Sequence, residues 1–128
     1  MNAPLDRKYS ESHEWFLAEE NVVTIGITQH AADELTDITY VELPEVGKTF
    51  AAGDAIGEVE SVKATSEIFT AVSGKVVEVN GALADHPELV NSDAFDEGWM
   101  VRLRVDSVSQ LDSLMDAKEY KGFVRNAK

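Results

Sequence analysis

Apolar residues along this chain come in short runs that favour strands over helices. Tyr9 to Phe16 mixes aromatic and polar residues, and Asn21 to Ile27 reads as a strand. Glu19-Glu20-Asn21 between them has turn character, so the two runs form a plausible hairpin. Thr28 can cap a short helix over Gln29 to Leu35, with Ile27, Ala31 and Leu35 at four-residue spacing. Ile38 to Leu43 alternates as a strand, with Ile38, Tyr40 and Glu42 on one face and Thr39, Val41 and Leu43 on the other. Pro44 to Gly47 ends it as a turn.

Beyond that point glycines at 47, 53, 57, 74 and 81 punctuate short strands, the rhythm of a compact barrel or sandwich. Gly47 to Ile56 faintly echoes Gly74 to Leu83, which would suit a pseudo-symmetric sandwich; chance explains so few shared residues equally well. Asp85 to Val90 suggests one helical turn capped by Asp85. Trp99, Val101, Leu103 and Val105 alternate as a strand. Leu111, Leu114 and Met115, then Tyr120, Phe123 and Val124, mark a C-terminal helix over about 109–125. Residues 1–8 read as a loose lead-in, and 9–128 as a single domain. The expected class is α+β, mainly β.

Composition narrows the function. At 128 residues the chain can bury one core without disulfides or metals. Its net charge of −13 argues against nucleic acid, whose phosphates need clustered Lys and Arg, and against anionic membrane surfaces. Acidity either keeps the protein soluble or steers basic partner surfaces toward it. With no cysteine, any thiol chemistry must come from a cofactor. The N-terminus has no apolar secretory region, and no run reaches membrane-spanning length. A cytoplasmic, bacterial-type protein is expected; a mature chain of the mitochondrial matrix would read alike.

The candidate chemistry centres on Lys63. It is the only basic residue between Lys48 and Lys75, and it stands among Asp54, Glu58, Glu60 and Glu67. Val59 and Val62 precede it, Ile68, Phe69 and Val72 follow, and small or polar neighbours (Ser61, Ala64, Thr65) leave it uncrowded. A lysine is usually solvated charge and nothing more. One isolated at the joint of two strand runs is presented to something. An exposed lysine is a poor general base at neutral pH, and a Schiff-base lysine needs burial or a cationic neighbour. Acylation by a dedicated enzyme suits the setting better than catalysis. Val62-Lys63 is not an Asn-Gly tight turn.

Ordered motifs extend the picture. Tyr9-Ser10-Glu11-Ser12-His13-Glu14-Trp15 is followed by Val23 to Thr28 with His30-Ala31, and then by Tyr40 to Gly47. Next come Gly57-Glu58-Val59-Glu60-Ser61-Val62-Lys63-Ala64, Ser73 to Asn80, Pro87 to Asn91 and Gly98-Trp99-Met100. In this order, over about residues 9–124, they resemble the H protein family of the glycine cleavage system. Two departures stand out: Ala71 where the family usually has proline, and Ala94-Phe95-Asp96 for a loop often written with proline and tyrosine.

The resemblance implies a flattened, hammerhead-like sandwich or barrel of the lipoyl and biotinyl carrier type. It implies lipoic acid in amide linkage to Lys63. It also implies partners that act in turn: a pyridoxal-phosphate glycine decarboxylase, a tetrahydrofolate-dependent aminomethyltransferase and a flavin-containing dihydrolipoamide dehydrogenase. A lipoate ligase or an octanoyl or lipoyl transferase would load the lysine. The protein would be a carrier rather than an enzyme, and a monomer. Glu14 and His30 read by themselves as a surface carboxylate and a helix-start histidine. The resemblance raises them, with Glu67 as a weaker third, to candidates for a cleft that docks the loaded arm. A cationic load would then be held by Glu14 through a charge-assisted hydrogen bond.

Other readings carry less. Asp112-Ser113-Leu114 matches a phosphopantetheine attachment triplet, but those carriers are all-helical. Ser73-Gly74-Lys75 lacks the first glycine and the hydroxyl residue of a phosphate loop. His13, His30 and His86 have no metal-like spacing. A biotinyl carrier would typically flank its lysine with methionines, and Val62 and Ala64 stand here. A stand-alone enzyme using Glu14 and His30 as an acid–base pair, and an H-like protein that relays lipoate, remain the alternatives.

Overall fold

A computed structural model describes residues 3–126. Two antiparallel sheets enclose one apolar core. Strands β1 (Lys8–Tyr9), β2 (Glu14–Glu19) and β3 (Val22–Ile27) continue through β9 (Val101–Arg104), β8 (Gly74–Val79) and β5 (Thr49–Phe50) in a six-stranded sheet of order β1-β2-β3-β9-β8-β5. The smaller sheet has the order β4-β6-β7, from β4 (Ile38–Glu42), β6 (Ala55–Ser61) and β7 (Thr65–Phe69). Phe16, Val23, Ile25, Val76, Val101 and Leu103 of the large sheet meet Ile38, Val41, Ile56, Val59 and Ile68 of the small one in a single buried cluster. The result is the expected sandwich, not closed into a barrel.

Helix α1 (Gln29–Leu35) begins where the sequence marks it. Thr28 Oγ1 accepts the Ala31 N–H at 3.2 Å, satisfying a donor that the first turn leaves unpaired. Two one-turn helices, α2 (Ala82–Asp85) and α3 (Leu89–Ser92), and the C-terminal α4 (Ala117–Asn126) complete the fold. Helix α4 packs over a second apolar cluster on Tyr9, Trp15 and Tyr120, with Phe95, Trp99 and Phe123 at its margin. No helix among the described residues is long and apolar enough to cross a membrane.

Several expectations need correction. Ile38 and Val41 are both buried, three residues apart, because an irregularity between Ile38 and Tyr40 resets the alternation of β4. The C-terminal helix is broken. A 3-10 helix at Val108–Ser113 ends at Leu114, and Met115 then bridges to Tyr9 as an extended residue before α4 starts. That long-range backbone pairing overrides local helix propensity. The one turn expected at Asp85–Val90 is two, and Asp85 closes α2 instead of capping it. The two echoing segments differ in conformation: Gly47 sits in a turn at φ 99°, while its counterpart Gly74 opens β8. The lead-in is anchored: Ala3 is buried, the Arg7 guanidinium lies 4.6 Å from the Trp15 ring centre, and Lys8 is in β1.

Candidate functional site

Strands β6 and β7 form a hairpin whose last cross-strand pair is Glu60 with Thr65. Lys63 occupies the exposed tip. Ser61 holds this turn from inside. Its Oγ accepts the N–H groups of Lys63 (3.2 Å) and Ala64 (3.1 Å), and its own N–H donates to the Ala64 carbonyl at 2.8 Å. A serine hydroxyl thus does the work of the Asn-Gly chemistry that the turn lacks. The Val62 N–H donates to the Asp37 carbonyl at 3.1 Å, tying the tip to the segment between α1 and β4. The Val62 side chain itself is 67% exposed. Lys63 makes no ion pair among the described residues. Its backbone is fixed and its amine is free.

Behind the tip, register places Glu42, Glu58 and Glu67 directly opposite one another across β4, β6 and β7. Like charges so arranged oppose sheet pairing. They line an open groove of about 650 Å³ together with Leu43, Lys48 and Phe50. Gly57 is required here: a Cβ at that position would stand 2.5 Å from the Glu42 carbonyl oxygen. Thr65, Glu67 and Phe69 are exposed on one side of β7, while Ile68 faces the core. Glu67 therefore lies between Lys63 and the end of the strand, which is about 20 Å from the tip at ~3.3 Å per residue.

Glu14 is not a surface carboxylate. It opens β2 at 1% exposure. Its Oε1 accepts the hydroxyls of Ser10 and Ser12, both at 2.6 Å, and its Oε2 accepts the Phe69 N–H at 3.1 Å. One carboxyl group thereby joins the start of the large sheet to the far end of the lysine-bearing hairpin. Burial raises its pKa above the ordinary carboxylate value, against the hydrogen bonds from Ser10, Ser12 and Phe69. It is an anion short of positive charge.

His30 lies at the start of α1. Its Nε2 is 3.8 Å from Glu34, and its ring centre is 4.8 Å from that of His13. No hydrogen bond among the described residues joins His30 to Glu14, so the two do not form an acid–base pair directly. Of the sequence candidates, the structure brings Glu14 to the strand that carries Glu67, and sets His30 against His13, the residue before Glu14. Sequence reasoning passed over Ser10, Ser12, Ser61, His13 and Tyr120. Neither serine had a local signal, because residues 10–13 form a turn with His13 at φ 70°, in which strand alternation does not operate.

The Glycine cleavage H-protein family matches residues 7–127. The chain belongs to this family. It is 50% identical to the glycine cleavage system H protein of Brevibacillus brevis over 98% of this chain and 99% of that protein. Identity to the corresponding Thermus thermophilus protein is also 50%, covering 94% of each. Among solved structures, the fold matches a glycine cleavage system H protein from Mycobacterium marinum with a TM-score of 0.86 and 37% identity, over 94% of this chain and 97% of that one. The strand-rich architecture and the ordered motifs thus point to one family.

Proposed function

We propose that this chain is the lipoyl carrier of a glycine cleavage system, with Lys63 the point of covalent attachment. The observation that carries the reading is the tip of the hairpin: an exposed lysine without an ion pair among the described residues, on a turn whose backbone Ser61 and Asp37 hold, in an H-protein-family chain. When attached, lipoate supplies the dithiol chemistry that a cysteine-free chain lacks, taking up an aminomethyl group and electrons. Lys63 holds it by an amide and gives up its charge in doing so. A lipoate ligase, or an octanoyl or lipoyl transferase, loads it. The decarboxylase, the aminomethyltransferase and dihydrolipoamide dehydrogenase then meet the same tip in turn. The carrier itself catalyses nothing, and the cytoplasm is its proposed location.

Glu14 is the proposed anchor for a cationic load. A buried carboxylate short of positive charge gains from a cation's approach, and that gain is larger where water is excluded. Ser12 is exposed, so rotation of its side chain opens a route to Oε1. Glu67, on the path from the tip to Phe69, attracts the same charge at lower stakes because it is solvated. His30 borders the region beside His13.

Intact mass and peptide mapping of protein from its native host test the reading. A lipoyl increment on Lys63 is expected, and Lys63→Arg should abolish glycine cleavage reconstituted with the partner enzymes. Unmodified Lys63, biotin on it, or full activity of the arginine variant would overturn the proposal.

A further inference from the structure

The Glu14 carboxyl sits against a turn that is held both from within and by the C-terminal segment. Residues 10–13 connect β1 to β2, and His13 there adopts φ 70°, a left-handed conformation uncommon outside glycine. Its internal bonds run from the His13 N–H to the Ser10 carbonyl at 3.1 Å, from the Ser10 N–H to the Glu14 carbonyl at 3.0 Å, from the Glu14 N–H to Ser10 Oγ at 3.0 Å, and from the Ser10 and Ser12 hydroxyls to the carboxylate; none of them holds the His13 side chain. The C-terminal segment clamps this turn at both ends. At the first end, Tyr9 exchanges backbone hydrogen bonds with Met115 (2.8 and 3.0 Å), and its ring stacks on Tyr120 with centres 4.8 Å apart. At the second end, the Tyr120 hydroxyl lies 2.8 Å from His13 Nδ1 and 2.7 Å from Thr28 Oγ1. The Thr28 N–H donates to the His13 carbonyl at 2.9 Å, closing the circuit.

We infer that Tyr120 is a positioning residue for Glu14: helix α4 holds the Ser10–His13 turn through the Tyr120 hydroxyl, and the turn in turn aims the Ser10 and Ser12 hydroxyls at the carboxylate. The inference rests on the docking role proposed for Glu14 only for its functional meaning; the mechanical coupling stands separately. Charge supports the proximity. Burial pushes the Tyr120 phenol up to about 12, against its hydrogen bond with Thr28, and the negative charge of Glu14 adds to the rise. Around His13 stand Tyr120 of α4, His30 and Glu34 of α1, and Glu14 next in the chain. Removing the hydroxyl of Tyr120 leaves its ring in the Tyr9 stack but frees the turn at His13. Water then reaches Glu14, and the carboxyl loses the burial that raises its pKa.

The test reads Glu14 directly, in unmodified protein, by carboxyl carbon NMR across a pH titration. Tyr120→Phe should move the Glu14 midpoint down toward the ordinary value of about 4.3. His13→Asn, which tolerates the left-handed backbone but gives up the Nδ1 contact, should move it the same way. A midpoint that stays put in both folded variants overturns the inference, whatever happens to their melting temperatures, because a merely structural tyrosine would alter melting alone. Release of the aminomethyl load from lipoylated Glu14→Gln separates this result from the docking reading. Unchanged release there removes the docking role, while a moved midpoint in Tyr120→Phe still upholds the coupling. Faster release in Glu14→Gln with an unmoved midpoint in Tyr120→Phe and His13→Asn does the reverse.

Discussion

The two turns of this protein that carry its chemistry are built in opposite ways. The Lys63 turn is exposed and held almost wholly through its backbone, with one serine hydroxyl inside it and one carbonyl outside. Its functional side chain makes no ion pair among the described residues. The Ser10–His13 turn covers the buried Glu14, on which the Ser10 and Ser12 hydroxyls and the Phe69 backbone N–H of β7 converge, while the Tyr120 hydroxyl of α4 meets His13 and Thr28. A group that must visit several partners needs a fixed root and a free end. A group that must hold a charge for a time needs the reverse, a fixed end in a dry place. The comparison teaches that rigidity is spent on the backbone in one turn and on the side chain in the other.

Alanine at the two positions should therefore give the largest contrast. Lys63→Ala removes a solvated chain and should change unfolding free energy by less than about 0.5 kcal/mol. Glu14→Ala leaves the Phe69 N–H and two serine hydroxyls without their acceptor, and opens a void at the joint of the two sheets. A loss of about 2–3 kcal/mol is expected in denaturant unfolding. Glu14→Gln keeps an acceptor for Phe69 and should lose less. Equal and small effects at positions 14 and 63 would break the comparison.

Inside the exposed turn, Ser61→Ala sharpens it. The backbone bond from Ser61 to Ala64 survives, but the N–H groups of Lys63 and Ala64 lose their side-chain acceptor. A loss of about 1 kcal/mol should appear locally, as roughly fivefold faster hydrogen exchange at these amides, with little change in global melting. Unaltered exchange would mean that the hydroxyl does not hold the tip.

The same contrast explains what was legible in the sequence. Lys63, its hairpin and the capped α1 are local features. Isolation of one charge, strand runs on either side and a threonine before a helical pattern all show within a few residues. Glu14 read as a surface carboxylate because its burial depends on Phe69, which is 55 positions away. The break between the 3-10 helix and α4 was hidden for a related reason: Tyr9, far from Met115 in sequence, supplies the pairing that straightens the chain there. The phase of β4 failed on a single irregularity, which no period-two pattern can register. Family motifs marked Ser10, Ser12 and His13 as part of a block without saying what they do; only their geometry around the carboxyl does that.

The smallest effect expected is on pH dependence, and it sets the two ionisable members of the enclosed turn against each other. Burial, with His30 adding to it, lowers the His13 pKa against the weaker pull of Glu34. The native state then holds fewer protons there than the unfolded chain once pH drops below about 6.5, so the contribution of neutral His13 is present above that value and is lost as pH falls. Glu14 runs the other way. Its raised pKa means the native state binds the proton more tightly, so its contribution is full below about 4.3 and is lost as pH climbs through the raised value. Melting curves of the native sequence alone would show only the balance. Subtracting those of His13→Asn should leave a difference that falls as pH drops below about 6.5, and subtracting those of Glu14→Gln a difference that falls as pH rises above about 4.3. Slopes of the same sign at 13 and 14 would mean that the division between a presenting turn and an enclosing one has been drawn in the wrong place.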